Sequence, residues 1–326
     1  MKKKLLWPVY GLVVVLVAGF AVANAGSSGT GGTVRSKLTL MAPAAPGGGW
    51  DGFARESQQA LRANGIVNNA QVVNVPGAGG TIGLSQLTQM TGREDILMAT
   101  GAAMVGGIAV GRTSDTLDDT TLIARLADDY NVVVVPTDSP FETFDDFVDA
   151  WRESPGSTVL AGGSLGSIDH LLSGMLAIEA GIDPRAINYV AYAGGGEVLT
   201  SLLSNTATAG ISSFNDFRDQ IEGGNLRALA VSAAEPIEGT DIPTFRESGF
   251  DVEMSNWRGF VAPAGISEEA RQELVDIVTE LVATDEWATA LSRNRWADTF
   301  QTGSDYSSFI DEQVAATDTL VKELGL

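Results

Sequence analysis

From residue 37 onward, short apolar runs alternate with stretches whose apolar positions recur every three or four residues. The runs predict strands at Leu38–Met41, Gln71–Val75, Ile96–Thr100, Asn131–Val135, Thr158–Ala161, Asn188–Tyr192, Thr208–Ser212, Leu226–Val231 and Arg258–Val261. The helical period is clearest at Ile168–Ala180, where Ile168, Leu171, Leu172, Met175 and Leu176 share one face. Ser167 can cap the start of this helix and Gly181 can end it. A second helix is predicted at Ser267–Ala283, with Glu268 and Glu269 in the turn where the helix dipole favours acids. A third, Asp305–Leu324, is placed on the outside of the fold. This alternation predicts α/β architecture with two mostly parallel sheets. Val132–Pro140 (VVVVPTDSP) and Trp257–Pro263 (WRGFVAP) read as two crossings between lobes. The division is then residues 37–135 plus 258–326 for lobe 1 and residues 136–257 for lobe 2, with a cleft between them.

The first 36 residues follow a different pattern. Lys2, Lys3 and Lys4 precede an apolar run from Leu5 to Ala23, and Ala23-Asn24-Ala25 has the small-x-small form of a cleavage site. Residues 1–25 therefore read as a secretory signal, or as a retained N-terminal anchor of near-spanning length. Either places the folded part outside the cytoplasmic membrane, behind a flexible linker at residues 26–36.

Composition narrows the function. Hydrophobic residues make up 44% of the 326-residue chain, enough for a real core. The net charge of −21 argues against nucleic acid, whose phosphates need a basic footprint. With no Cys and one His, thiolate catalysis and Cys- or multi-His zinc sites are excluded.

Glycine, at 38 residues, is concentrated in loops of one grammar: apolar strand, Gly-rich turn, helix. These are Pro46–Asp51 (PGGGWD), Pro76–Thr81 (PGAGGT), Thr100–Ala103 (TGAA), Gly162–Ser167 (GGSLGS) and Tyr192–Glu197 (YAGGGE). Ligands of open α/β sheets bind beyond the carboxyl ends of strands, where helix N-termini offer unpaired N–H groups and a positive dipole. The loops thus make anion-friendly mouths without basic side chains, suited to a small carboxylate. Gly162–Gly166 also fits a nucleophile elbow at Ser164, but the only His, His170, lies in the helix the elbow opens rather than late in the chain. Ser164 is read as a hydrogen-bond donor. His170 is read as a packing residue or a ligand contact. Asp51 is read as a helix cap or an acceptor for the ligand. Arg258 suits bidentate carboxylate capture or a salt bridge between lobes. Trp50 would line or lid the cleft.

The ordered set of Pro46–Asp51, Pro76–Gly83, Gly162–Leu171, Tyr192–Glu197, Leu226–Val231, Ile242–Thr244 with Glu247–Gly249, and Asn256–Gly265 resembles one family. The chain is similar to the periplasmic solute-binding proteins of tripartite tricarboxylate transporters, the Bug family. The resemblance runs from about Leu38 to the C-terminus. It implies a two-lobed, type II periplasmic-binding-protein fold (a Venus flytrap) that captures a tri- or dicarboxylate, citrate-like, and delivers it to large and small membrane permease subunits. It implies ligand contacts from Gly48, Gly49, Trp50, Asp51, Ala78, Gly79 and Gly80 in the first lobe. Ser164, Ser167, Tyr192, Gly194, Gly195 and Asn215 would contribute from the second, with Thr100 and Gly101 on the floor. No catalytic residue, cofactor or metal enters this reading, and the receptor is expected to be a monomer. The alternatives are a ligand-sensing module for a signalling partner and a hydrolase using Ser164.

Overall fold

The computed structural model describes residues 34–192 and 194–326. The signal or anchor at residues 1–25 and most of the linker lie outside the described residues. The linker's end, Val34–Ser36, forms a 3-10 turn with Val34 buried, and Arg35 bonds Glu273 and Glu280. The folded part therefore begins three residues earlier than the sequence suggests.

The chain starts as a strand–helix alternation: β1 (Leu38–Ala42), α1 (Gly49–Ala63), β2 (Ala70–Asn74), α2 (Thr81–Thr88), β3 (Ile96–Gly101) and α3 (Ala102–Gly111). A long strand, β4 (Thr120–Pro136), leads to α4 (Phe144–Glu153), β5 (Val159–Gly162), α5 (Ile168–Glu179), β6 (Asn188–Ala191), α6 (Gly195–Leu203), β7 (Ala209–Ser213), α7 (Phe214–Glu222) and β8 (Leu226–Val231). The chain returns through β9 (Ser255–Pro263) and ends with α8 (Glu268–Val282), α9 (Asp285–Asn294), β10 (Ala297–Thr302) and α10 (Gly303–Leu324).

Two sheets share β4. Its first part, Thr120 to Tyr130, pairs with β9 from Pro263 back to Ser255, and β10 pairs on the same stretch. From Asn131 onward it pairs instead with β7 and β8. The hand-over thus falls at Tyr130–Asn131, ahead of the crossing expected from Val132. The outer strands are parallel (β2, β1 and β3 in one sheet; β7, β5 and β6 in the other). The strands around the hand-over are antiparallel, so the sheets are more mixed than the alternation predicts.

Two strand segments escape the hydrophobic pattern: β10 and the Thr120–Tyr130 part of β4. The second is interrupted by Arg125, Asp128 and Asp129. In the fold these charges are buried against partners, Arg125 with Asp128 and Asp129 with Arg258. Buried charges survive in a sheet only when paired in this way.

Each lobe has an aromatic core. In the first, Phe53 of α1 packs on Phe260, Trp287 and Trp296 at centroid distances of 4.9, 5.9 and 6.1 Å. In the second, Phe144 packs on Phe147, Phe245 and Phe250. Each such buried ring contributes roughly 1.5–3 kcal/mol to holding its helices on the sheet. The lobes meet where α3 faces α5: Ile168 joins the cluster of Met104 and Val105, and a Cβ on Gly106 would lie 2.1 Å from Gly166 O. Helix α10 spans both lobes. Its Tyr306 and Ile310 are buried under the first sheet, and Leu324 fills the space at Gly174 of α5.

Candidate functional site

Four of the five glycine loops end in helices that lack side-chain caps. α1, α2, α3 and α6 start from Gly48, Gly80, Gly101 and Gly194, none of which supplies a capping hydrogen bond. Five of the other six described helices start from a capping Ser or Thr: Thr143, Ser167, Ser213, Ser267 and Thr284. A helix start leaves unpaired N–H groups that a side chain, water or a ligand must satisfy. The uncapped starts fall in four of the five loops that the sequence picks out; the fifth, Gly162–Ser167, opens a helix that Ser167 caps.

Arg258 of β9 sits at the mouth of α1. A Cβ built on Gly49 would lie 2.6 Å from its Nη1 and 3.0 Å from its Nη2. The guanidinium is 5% exposed, donates through Nη2 to Asp129 Oδ2, and lies 5.3 Å from the Trp296 ring. Ser213 Oγ donates to the same carboxylate at 2.8 Å. The salt bridge expected of Arg258 is thus present, but it joins β9 to β4 within the first sheet rather than one lobe to the other. Nη2 makes a buried ion pair, while Nη1 has no hydrogen-bond partner among the described residues and faces exposed Gly49.

Trp50 lies between two glycine loops. A Cβ on Gly80 would be 2.7 Å from its Cζ3, and one on Gly101 would be 3.2 Å from its Nε1. Only glycine at these positions leaves room for the indole. The Gly77–Gly80 loop has positive φ at four successive residues, including Ala78 at 49°. A non-glycine residue rarely adopts this conformation, and such outliers gather at functional sites. Thr100 is buried and donates to Met104 Sδ, so it supports the floor without reaching into the cleft.

Three expected contacts are already engaged elsewhere. Asp51 accepts from Gly47 N–H, Arg55 Nε and Asn74 Nδ2, at 2.8 Å each, and staples its own loop. Burial opposes its ionisation, but these bonds hold the carboxyl below the usual range. His170 Nδ1 accepts from Gly166 N–H at 3.1 Å and its ring packs 4.6 Å from Tyr189, so it shapes the loop from behind; burial lowers its basicity. Asn215 Nδ2 donates to Asn294 O, next to the Arg218 Nη1 bond to Arg293 O, so both tie the second lobe to the end of α9. Ser164 and Gly194 are exposed, Gly195 and Tyr192 half-exposed, and Ser167 caps α5. With Nδ1 of His170 occupied by a backbone donor, it cannot serve Ser164 as a base.

Three groups were missed by sequence reasoning. Tyr189 Oη donates to Gly163 O at 2.7 Å and pins the loop. Asp169 is buried, accepting from Gly163 N–H at 2.7 Å and from Asn131 Nδ2. Burial and the charge of Asp216 push its carboxyl up to about 7. Asp216 is exposed to solvent, with Gly195 packed close against its carboxyl. It accepts from Ser212 Oγ at 2.8 Å, and desolvation followed by Asp129 raises it above the ordinary carboxylate range. No group of three or more His, Cys, Asp or Glu among the described residues is arranged to hold a metal ion.

Comparison with known proteins agrees with this architecture. Residues 54–326 match the model of the tripartite tricarboxylate transporter family receptor. BugT of Bordetella pertussis is 25% identical over 294 residues, covering 88% of this chain and 89% of BugT. The structure of a TctC solute binding protein from Polaromonas superposes with a TM-score of 0.69 at 25% identity, over 88% of this chain and 98% of that one. Rpa4515 of R. palustris, solved with adipate, has a TM-score of 0.81 at 22% identity, over 89% and 97% of the two chains. With the family model covering all but the first 53 residues, the chain belongs to the tripartite tricarboxylate transporter receptor family, whose members are solute-binding receptors and not enzymes.

Proposed function

We propose that the protein is an extracytoplasmic receptor that captures a small carboxylate between its lobes and delivers it to the large and small membrane subunits of a tripartite transporter. The observation that carries this reading is the uncapped start of α1, at Gly48–Trp50, beside the free Nη1 of Arg258. Two N–H donors and a guanidinium edge at one mouth match a carboxylate, and bonds to a charged acceptor are about twice as strong as neutral ones. The uncapped starts of α2 and α3 extend the same chemistry along the cleft. Adipate, held by the R. palustris protein of the same fold, is a ligand of this class. Ligand bridging the lobes would favour the closed form, which the membrane subunits would recognise.

The test is a thermal-shift panel on the purified protein with citrate, tricarballylate, succinate, malate, terephthalate, glutamate and nicotinate. Ligand at 100 times its dissociation constant adds about 2.7 kcal/mol, a readily measured rise in melting temperature. A response confined to carboxylates supports the reading. A flat panel from a folded sample overturns it.

A further inference from the structure

The two sides of the cleft differ in sign. On the first lobe, the mouth of α1 carries the unpartnered Nη1 of an Arg258 side chain that is only 5% exposed. On the second, the mouth of α6 is not open to an anion. A Cβ on Gly195 would lie 2.3 Å from the Asp216 carboxyl, so the protein's own acid stands where a second ligand carboxylate was expected. Asp216 uses Oδ2 to accept from Ser212, and its other oxygen has no partner among the described residues. Asp129 and Asp169 lie close enough to couple with it electrostatically, as does Arg258, which is bonded to Asp129. A carboxylate placed here would meet like charge. A group with N–H donors and a positive charge would meet a carboxyl with one oxygen unpartnered among the described residues.

We propose that Asp216 is a specificity-determining residue that receives a protonated primary amine of the ligand, so that the receptor prefers an amino acid to the corresponding simple carboxylate. This rests on the carboxylate reading above, with one ligand carboxylate at the α1 mouth. The two ends of the ligand are then read by opposite charges fixed on opposite lobes. Such an arrangement selects by repelling the wrong partner as well as by attracting the right one.

The experiment is isothermal titration of the full chain with matched pairs, L-aspartate against succinate and L-glutamate against glutarate, with malate as a neutral-donor control. The expected result is tighter binding of the amino member of at least one pair by about tenfold or more, a typical scale for one charge-assisted hydrogen bond. Asp216→Asn should collapse that ratio toward one, and Asp216→Glu, which keeps the charge, should preserve its direction. Equal or tighter binding of the simple diacids overturns the proposal. So does an unchanged ratio in a folded Asp216→Asn protein, or a preference for malate equal to that for aspartate. Binding of the diacids alone overturns this inference and leaves the carboxylate reading standing; binding of neither class overturns both.

Discussion

Gly49 and Gly52 lie three residues apart in α1, and replacing each with alanine should move stability in opposite directions. Neither has positive φ, so alanine strains neither backbone. A Cβ on Gly52 would meet nothing within 4 Å. Gly52→Ala therefore shows only the gain in helix propensity, about 0.5–1 kcal/mol. At Gly49 the same Cβ would lie 2.6 Å from Arg258 Nη1, 3.0 Å from Nη2 and 3.2 Å from Cζ. A free arginine tip would swing away at little cost. This one is held by Asp129 and faces the Trp296 ring, with the acid 3% exposed, so it cannot move without loosening a buried pair. Overpacking of this kind costs roughly 1–3 kcal/mol, which exceeds the propensity gain. Gly49→Ala should thus be destabilised by about 1–2 kcal/mol while Gly52→Ala is stabilised, a difference of about 2 kcal/mol between them. Urea unfolding followed by far-ultraviolet circular dichroism, with equal slopes for the three proteins, measures it. Two stabilised variants would show that the guanidinium is not pinned, and the basis for a fixed carboxylate clamp at the α1 mouth would fail.

Asp129→Asn strands the Arg258 charge and should lower stability by about 3 kcal/mol or more in urea. A carboxylate ligand should restore more melting temperature to this variant than to the wild type, by replacing the missing anion; an equal shift would mean that Arg258 does not meet the ligand. Asp169 titrates near 7 in the fold against an ordinary value of 3.8, raised chiefly by burial. The native state therefore holds a proton that the unfolded chain has released, so this residue makes stability fall as pH rises from about 4 to about 7, and flat above. Asp169→Asn should remove that fall when melting curves of the two proteins are compared across the range, and parallel curves would contradict it. Asn215→Ala removes one tie between the second lobe and Asn294 O, worth about 1 kcal/mol, and should enlarge the radius of gyration of the ligand-free protein in small-angle scattering.

The glycine loops were legible because their chemistry is local: a strand end, a turn and a helix start fall within six residues, as at Pro46–Asp51. Hydrophobic periodicity likewise located β1, β3 and β8 to within a residue or two. What it could not show is pairing across the chain. The Thr120–Tyr130 stretch reads as broken by charge, and only with Arg258 from β9 paired to Asp129 does it become strand. Asp216 had no local signal, since its meaning depends on Gly195 and Ser212 closing around it. Asn215 and Asp51 have side chains suited to a ligand, and only the fold reveals that each is already bonded, to Asn294 O and to Gly47, Arg55 and Asn74 respectively.

The shared strand also fixes the order in which the chain can finish folding. In the first sheet, β9 lies between β3 and β4 and hydrogen-bonds to both. It follows β4 only after the whole second lobe, β5 to β8, has been laid down. A chain emerging from its N-terminus therefore exposes the edges of β3 and β4 throughout that interval. The second sheet, by contrast, gathers all its strands from one continuous stretch beginning at Asn131. The inserted lobe can thus consolidate early, while the N-terminal lobe waits with open strand edges that invite mispairing or protection by a chaperone. Vectorial synthesis makes the lobe encoded first the last to be completed.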